Sequence, residues 1–398
     1  YKKGRYKHML KVGVIGCGNM GNQVVALLDK TYKDIPVYAI NCSENDLDTL
    51  SDDLSKVLIG DGRGAGKNRE EAKKFLEAAI MQFITDDDIK KFLESLDIVF
   101  IVSSAGGGTG SGVSILLANV INEVFKNSED PVIPIPVGAL PTIGEALGTQ
   151  ANALSYLTEL YELSDDLTYM LYDNEKYAKK SSVEILRDVN KDIVEDINII
   201  RLFYNYATVY SSIDERDAKT IFSTPGRIFI ASVFDVKEKD CDDDNTLEDM
   251  LITEIKRNSQ AEIQLDGIVN RTGVIVNLSE SMLKKFNEKV PKIQAMVGTP
   301  VEDFVHIKVN EDRKLANNVI YIAAGLSPIN DRIAKIKDRI DEINELQDKQ
   351  KDTNELDDSI LEEIQKKRVY KNTEGVNDKD GEKTSKQDIM GIFSKFRK

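Results

Sequence analysis

Residues 105–112 read Ala-Gly-Gly-Gly-Thr-Gly-Ser-Gly, with glycine at five of the seven positions from 106 onward. The apolar stretch before them, 97–102, is typical of a buried strand, and Leu116, Val120 and Val124 follow at the spacing of one helix face. Glycine lets backbone N–H groups turn towards an anion with no Cβ in the way, and a helix start adds its positive dipole end. The sequence predicts a phosphate-binding loop rather than a flexible linker, because linkers are not normally held between a strand and an amphipathic helix.

A second glycine motif stands near the start of the chain. Strand-like residues 11–15 lead into Gly16-Cys17-Gly18-Asn19-Met20-Gly21, which has the GxGxxG form of a dinucleotide-binding loop. Such a site needs an acidic residue at the end of the second strand to hold the ribose. The second predicted strand, 37–40, is followed by Asn41, and Glu44 comes late. An NAD(P)-dependent reductase is therefore an alternative that fits only in part and leaves the first glycine run unexplained.

Composition excludes several classes of function. The chain has 398 residues and a net charge of −15, which argues against direct DNA binding by the globular body. Three separated cysteines give neither a disulfide framework nor a zinc pattern and favour a reducing cytoplasm. With only two histidines, zinc catalysis and a Ser-His-Asp triad are nearly excluded, and no residues are assigned as metal ligands. No apolar stretch approaches the roughly 20 residues of a transmembrane span.

The glycine run 106–112 resembles G-G-G-T-G-[ST]-G, the signature of the tubulin/FtsZ family of GTP-dependent filament proteins. Gly21-Asn22-Gln23-Val24 is similar to the Gly-Asn-x-Val ending of that family's first loop. The resemblance covers about residues 11–326 and implies that one GTP or GDP, with Mg²⁺, is held by both glycine loops. It implies an α/β fold with an N-terminal Rossmann-like GTPase domain, a long central helix and a C-terminal α+β activation domain.

Further segments resemble the other nucleotide loops of the family. Gly64-Ala65-Gly66 is similar to its third loop, which reaches the terminal phosphate; it is not a Walker A motif, since Asp61 replaces the first glycine and Asn68 the Ser/Thr. The resemblance implies Glu145 at the ribose, and Thr149 stands where division members of the family carry arginine. It also implies that the Asn190 side chain binds the guanine base. The residues expected to bind nucleotide are Gly16, Cys17, Gly18, Asn19, Gly21, Asn22, Gly64, Ala65, Gly66, Ala105, Gly106, Gly107, Gly108, Thr109, Gly110, Ser111, Gly112, Glu145, Asn174 and Asn190.

The candidate catalytic segment runs from Ser212 to Thr220. It resembles the family's N-x-D-x-x-D-[VLA]-K-T loop, with Ser212 in place of the asparagine. Asp214 and Asp217, three residues apart, lie on one face of a helical turn. The resemblance implies that they orient the attacking water at the nucleotide of a neighbouring subunit, since phosphoryl transfer depends on positioning and electrostatics. The alternative is a charged helix start with Asp214 as its cap.

Alternating strands and helices over the first two hundred residues are typical of an α/β domain. We expect a GTP-binding domain at 9–181, a central helix at 182–210 and an activation domain at 211–327, followed by a charged helix at 328–370 and a disordered spacer with a basic docking tail at 371–398. The elements expected in the activation domain are strands 227–234, 273–277, 304–309 and 318–326 and helices 246–257 and 281–289.

The last fourteen residues, 385–398, form an amphipathic pattern. Apolar side chains recur at i, i+3, i+4 and i+7, namely Ile389, Ile392, Phe393 and Phe396. Basic side chains make up the other face, namely Lys386, Lys395, Arg397 and Lys398. The pattern predicts a docking helix. The long helix and isolated tail resemble the TubZ group of plasmid and phage partition proteins, which implies a cytoplasmic head-to-tail filament that moves DNA through a DNA-bound adaptor held by 385–398. A cell-division filament is the alternative, because the division protein also ends in a tethered apolar-basic peptide.

Overall fold

The computed structural model describes residues 10–203, 213–241, 246–263, 267–286, 289–310 and 317–354. Several sequence predictions fall on residues outside these ranges: the end of the central helix, Ser212, the helix beyond 354, the spacer and the docking tail. The chain divides into two units, one up to Asp341 and one from Glu342 onward. The predicted domain boundaries stay predictions.

In the described ranges, ten strands form one sheet. They are β1 Val12–Cys17, β2 Val37–Asn41, β3 Ser55–Leu58, β4 Ile98–Ser104, β5 Ile133–Leu140, β6 Thr168–Asp173, β7 Gly226–Phe234, β8 Gly267–Leu278, β9 Gly298–Val309 and β10 Asn318–Leu326. Their order is β3-β2-β1-β4-β5-β6-β7-β10-β8-β9. The strands from β3 to β7 run parallel, β10 is antiparallel to both of its neighbours, and β8 and β9 are parallel. The α/β fold predicted from the alternating pattern is confirmed.

Twelve helices accompany the sheet in the same ranges. They are α1 Gly18–Thr31, α2 Glu44–Asp48, α3 Arg69–Thr85, α4 Asp87–Glu94, α5 Thr109–Phe125, α6 Leu147–Glu162, α7 Ser182–Leu202, α8 Glu215–Phe222, α9 Thr246–Arg257, α10 Glu280–Phe286, α11 Val290–Gln294 and α12 Asn330–Asn354. Short 3₁₀ turns cover Asn174–Tyr177 and Glu238–Cys241. Every helix in the described part of the chain is too short or too polar to cross a bilayer.

The central strands form because their side chains are apolar in unbroken runs. In β4, the residues from Ile98 to Ser103 are all buried, as expected for a parallel strand covered by helices on both faces. The helices begin at residues that can satisfy free backbone N–H groups. For example, Asp86 Oδ1 accepts hydrogen bonds from Asp88 N and Ile89 N at the start of α4, both at 3.0 Å.

Strands β8 and β9 are longer than the strands predicted from their apolar stretches. Sequence reading placed them at 273–277 and 304–309, but they begin at Gly267 and Gly298. Their polar first halves still pair with each other in register. Arg271 Nε donates to Glu302 Oε2 across the pair at 2.6 Å, so an ion pair supports a segment that hydrophobic periodicity does not reveal.

A half-buried ion pair connects three helices around the first glycine run. Arg69, at the start of α3, donates to both carboxylate oxygens of Glu159 on α6 at 2.7 Å and to Ser111 O in α5 at 3.1 Å. Lys73 also binds Glu159. Burial alone would raise the pKa of Glu159, but the hydrogen bonds from Arg69 and Lys73 outweigh it and hold that pKa below its usual range.

Glu159→Gln tests this ion pair through its pH dependence. A carboxylate with a lowered pKa in the folded state stabilises the fold above its unfolded pKa, and the contribution is lost as the pH falls through the folded pKa. We expect the variant to melt at a lower temperature than the natural chain at pH 7, with the difference shrinking between about pH 5 and pH 3. Calorimetric melting across that range measures it.

The control is Glu123→Gln, which removes an exposed partner of Lys126 in α5. Exposed pairs contribute little to stability, so this variant should match the natural chain at every pH. A Glu159→Gln difference that is absent at pH 7, or the same at pH 3 and pH 7, would contradict the assigned role.

Candidate nucleotide-binding site

A cavity of about 510 Å³ opens at the carboxyl ends of β1, β2 and β4. Both glycine motifs reach it, together with the loop before α3. Its lining residues are Cys17, Gly18, Asn19, Met20, Gln23, Asn41, Ser43, Asp46, Gly64, Ala65, Gly66, Lys67, Ser104, Gly107, Gly108, Thr109, Gly110 and Leu186. Ligands of open α/β sheets bind at this edge, because helix N-termini and loops converge there. Residues of both glycine loops therefore line one cavity, and their joint binding of a nucleotide stays a prediction.

The two glycine loops touch each other directly. Gly18 begins α1 in the left-handed region with φ +70°, and a Cβ on it would lie 2.8 Å from Gly110 N. A Cβ on Gly110 would lie 2.8 Å from Cys17 O. Because real Cβ atoms do not approach this closely, α1 and α5 can begin side by side only if both positions are glycine.

Four of the five glycines of the run 106–112, all but Gly107, are needed for space rather than for unusual backbone angles. Every glycine of this run has a negative φ. A Cβ on Gly108 would lie 2.7 Å from Lys67 Cα, and one on Gly112 would collide with Arg69 O. Positive φ occurs instead in the loop before α3, at Gly60, Gly62, Gly64 and Gly66. The run is therefore where neighbouring loops pack against each other, a role that the sequence reading did not assign.

The cavity suits a phosphorylated ligand. Helices α1 and α5 both point their first turns at it, and neither has a side-chain cap, so their first N–H groups are available to an anion. The lining contains one acid, Asp46, and one base, Lys67. Asp46 Oδ2 accepts from Asn41 Nδ2 at 3.2 Å. Asp46 and Thr109 offer the oxygen ligands that Mg²⁺ prefers.

Burial raises the pKa of the Cys17 thiol, so this cysteine is neutral at the site.

Two buried asparagines stand beside the cavity with unpaired polar atoms. Both Oδ1 and Nδ2 of Asn22 are without a hydrogen-bond partner among the described residues, although the side chain is only 2% exposed. Asn190 is 5% exposed and its Oδ1 is likewise unpaired. Leu186 lines the cavity one turn before Asn190 on α7, and α1 packs against α7. Since buried polar groups are normally hydrogen-bonded, these atoms fit an edge of a polar ring such as a purine base.

Some predicted nucleotide-binding residues lie behind the cavity wall rather than in it. A Cβ on Gly16 would collide with Gly21 O, and one on Gly21 with Val102 O, so these glycines allow α1 to pack on β1 and β4. Ser111 is fully buried and its hydroxyl donates to Gly107 O, with a second contact to Gly108 O at 3.4 Å. These three residues support the packing behind the cavity and do not line it. Ala105, Gly106, Asn22, Asn190 and Gly112 are also outside the lining.

Glu145 and Asn174 are also outside the cavity lining. Glu145 Oε1 accepts from Thr142 N at 2.8 Å and so closes a local turn. Asn174 begins a 3₁₀ turn in which Glu175 accepts from Ile143 N at 2.7 Å, so the two segments contact each other. Their roles at the ribose and base stay predictions.

Asp214 and Asp217 form a capping box at the start of α8. Asp217 N donates to Asp214 Oδ1 at 2.9 Å, and Asp214 N donates to Asp217 Oδ2 at 3.1 Å. One oxygen of each carboxylate satisfies the helix start, as the alternative reading of this segment expected. The pair is accessible to solvent and does not line the chain's own cavity.

Lys219 anchors α8 at the opposite edge of the sheet from the cavity. Its ammonium contacts Asp97, Asp130 and Glu215 at 2.9, 2.6 and 3.0 Å. Asp97 immediately precedes β4 and Asp130 lies just before β5, so the contact is at the amino ends of these strands. Strand β4 is seven residues long, or about 20 Å. The two candidate catalytic acids are thus separated from the chain's own cavity by the length of the sheet's strands.

The three carboxylates around Lys219 lie close enough to hold a metal ion. The Lys219 ammonium already supplies a positive charge that offsets these three carboxylates. Burial alone would lower the pKa of Lys219, but the hydrogen bonds that its ammonium donates to Asp130, Asp97 and Glu215 outweigh burial and raise the pKa, so the group stays charged. The cluster therefore serves to hold α8 in place.

Sequence reading missed some of the residues at the site. The ones that line the cavity without having been assigned are Met20, Gln23, Asn41, Ser43, Asp46, Lys67, Ser104 and Leu186. Asn152 on α6 was also missed; its amide donates to Lys67 O, Gly106 O and Gly107 O at 3.0, 3.3 and 3.2 Å. Lys67 was visible beside Gly64-Ala65-Gly66, but Asn152 carries no local signal because only the tertiary fold brings it to the loops.

Comparison with known proteins agrees with this geometry. Residues 11–182 match the family described as "Tubulin/FtsZ family, GTPase domain". The cell division protein FtsZ of Aquifex aeolicus is 31% identical over 192 residues, covering 46% of this chain and 47% of that protein. The tubulin-like protein TubZ of a Clostridium botulinum C phage is 28% identical over 184 residues, covering 46% and 48%. The chain spans about half the length of these curated relatives.

A solved structure extends the likeness of fold beyond the matched domain. The GTPγS-form protofilament of TubZ from Bacillus thuringiensis serovar israelensis has a TM-score of 0.68 at 19% identity, covering 87% of this chain and 96% of that one. At this identity the likeness concerns the fold alone. The likeness of sequence lies in residues 11–182, which match the GTPase domain of the tubulin/FtsZ family.

Proposed function

We propose that this protein binds and hydrolyses GTP and polymerises head to tail into filaments in the cytoplasm. The single observation that carries the proposal is the cavity at the carboxyl edge of the sheet, where two glycine loops and two uncapped helices meet and beside which two buried asparagines have unpaired polar atoms. The family match to a GTPase domain supports guanine nucleotide as the ligand.

Within the proposed site, different residues bind different parts of the nucleotide. The first turns of α1 and α5 and the loop 64–67 bind phosphates, and Asn22 with Asn190 binds the base. Mg²⁺, when bound with the nucleotide, supplies positive charge that offsets the phosphates. Burial keeps the Cys17 thiol neutral, so this cysteine is not activated as a covalent nucleophile. Positioning and electrostatics are what phosphoryl transfer requires.

The location of Asp214 and Asp217 supports hydrolysis between two copies. Lys219 holds their helix at the amino edge of the sheet, while the cavity opens at the carboxyl edge. The acids of one copy can therefore meet the nucleotide of another copy stacked in the same orientation, but not their own. The Bacillus thuringiensis TubZ structure is a protofilament, which supports this mode of assembly.

We further propose that the filament segregates plasmid or phage DNA through a DNA-bound adaptor that docks on residues 385–398. The TubZ relatives support this role, and the apolar-basic pattern of the tail suits a docking helix. A cell-division filament is the second candidate, favoured by the similarity to the division protein of Aquifex aeolicus.

Nucleotide identity is tested with Gly108→Ala. A Cβ at this position would lie 2.7 Å from the Lys67 backbone, so the variant must move one phosphate loop away from the other. We expect the natural chain to bind GTP and GDP and not NADPH, and Gly108→Ala to weaken GTP binding by about 10-fold or more, a loss of about 1.4 kcal/mol. Equilibrium titration with each nucleotide measures it.

Gly148→Ala is the matched control, because a Cβ there meets nothing within 4 Å. It should change GTP affinity by less than about 2-fold. Tight NADPH binding that GTP does not displace would overturn the proposal in favour of a reductase.

Hydrolysis between subunits is tested with Asp214→Asn. Asparagine still caps α8 but lacks the charge, whereas Asp214→Ala also loses the cap, at a cost of about 1 kcal/mol. We expect Asp214→Asn to bind GTP and polymerise normally and to hydrolyse GTP about 100-fold more slowly. Phosphate release and pelleting, measured over a range of protein concentrations, check both.

In the natural chain, turnover per subunit should rise steeply above the concentration at which filaments form. A rate independent of concentration, or unchanged hydrolysis in Asp214→Asn, would show that these acids do not act across a joint between copies.

The partner of the tail is tested by deleting residues 385–398. Because Asp214 and the glycine loops are elsewhere in the chain, the truncated protein should keep GTP hydrolysis and polymerisation within about 2-fold. It should no longer co-pellet with DNA that carries the proposed adaptor protein. A tail with the same residues in scrambled order is the control for charge alone and should also fail to capture the complex. Capture of anionic liposomes instead, lost on deletion, would favour the division filament.

A further inference from the structure

Lys67 adopts a backbone conformation that residues other than glycine rarely adopt. Its φ is +62°, in the left-handed region, which disfavours residues that carry a Cβ. The other residues with positive φ in its loop, Gly60, Gly62, Gly64 and Gly66, are all glycines. Strained residues of this kind persist where their surroundings hold them, and they cluster at functional sites.

The contacts that hold Lys67 come from the glycine run and from α6. The Asn152 amide donates to Lys67 O at 3.0 Å and also reaches Gly106 O and Gly107 O at 3.3 and 3.2 Å. On the other side, Gly108 packs so closely against the Lys67 backbone that a Cβ on it would lie 2.7 Å from Lys67 Cα. Asn152 thus connects the Lys67 backbone to the glycine run.

Lys67 is also the one basic side chain among the described residues that line the cavity. Its ammonium makes no hydrogen bond or ion pair with any residue in the part of the chain that the structure describes. Arg69, two residues on, is buried and committed to Glu159 and Ser111 O. Thr149, which faces Gly106, contributes a methyl contact there and no charge.

We propose that Lys67 binds the terminal phosphate of the bound nucleotide and that Asn152 is the positioning residue that sets the place of Lys67. This inference rests on the proposed GTP site and deepens it, because it names the group that distinguishes a nucleoside triphosphate from a diphosphate. A lysine provides a charge-assisted hydrogen bond to a phosphate oxygen. The loop before α3 brings this charge to the cavity, while the helix starts of α1 and α5 serve the remaining phosphates.

The experiment compares affinities for GTPγS and GDP in the full-length chain, below the concentration at which it polymerises. Lys67→Gln should weaken GTPγS binding about 10- to 30-fold and GDP binding less than about 2-fold. Lys67→Arg keeps the charge and should hold the ratio of the two affinities within about 3-fold of the natural value. Lys33→Gln, at an exposed lysine between α1 and β2, is the matched control and should leave both affinities unchanged.

The role of Asn152 is separated from a merely structural one by a double-mutant cycle. Asn152→Ala alone should lower the GTPγS-to-GDP ratio, and adding it to Lys67→Gln should lower that ratio no further, because both changes remove the same interaction. Alanine is a good helix former, so α6 should keep its fold. A further fall of the ratio in the double variant would show that Asn152 acts independently of Lys67.

Failure of this inference is distinguishable from failure of the proposed function. If the natural chain binds neither guanine nucleotide, the GTP site itself is wrong. If it binds both, and Lys67→Gln weakens them equally or not at all, the GTP site stands and Lys67 is not the terminal-phosphate ligand.

Discussion

The contact between Gly18 and Gly110 is the constraint on which the rest of the site depends. It lets two helices begin next to each other at the ends of neighbouring parallel strands, with their first N–H groups directed into one cavity. A side chain at either position would separate the helix starts. Once that approach is fixed, the loop before α3 is held by Gly108, Asn152 and Arg69 against the second of these helices. The approach of the two helix starts to the cavity is therefore set by backbone packing.

Much of the fold was predictable because it follows from local patterns. The apolar runs of β1, β2, β4 and β10 gave elements close to the observed ones, and helix α9 was predicted at its observed bounds. Strand β3 and helix α2 carry too few apolar residues to be detected, and β8 is extended by an ion pair across strands. The family signature located both glycine loops, and the cavity joins them.

The purpose of individual residues in the site was harder to predict. Gly16 and Ser111 belong to motifs and were expected at the ligand, yet their contacts are internal to the scaffold. Asn152 is a single polar residue in an ordinary helix, and only the tertiary approach of α6 to two loops gives it a role. Sequence motifs identify segments, whereas the direction of each side chain depends on packing between elements far apart in the chain.

The anchoring of α8 by Lys219 gives each molecule two chemically different ends. One end presents the nucleotide cavity and the other presents the acids Asp214 and Asp217. In the proposed polymer, the terminal copy whose cavity faces solvent has no neighbour to supply those acids. Its nucleotide would be hydrolysed more slowly than the others in the filament. The two filament ends would therefore differ in bound nucleotide as well as in structure, and subunits would be gained and lost at unequal rates at the two ends.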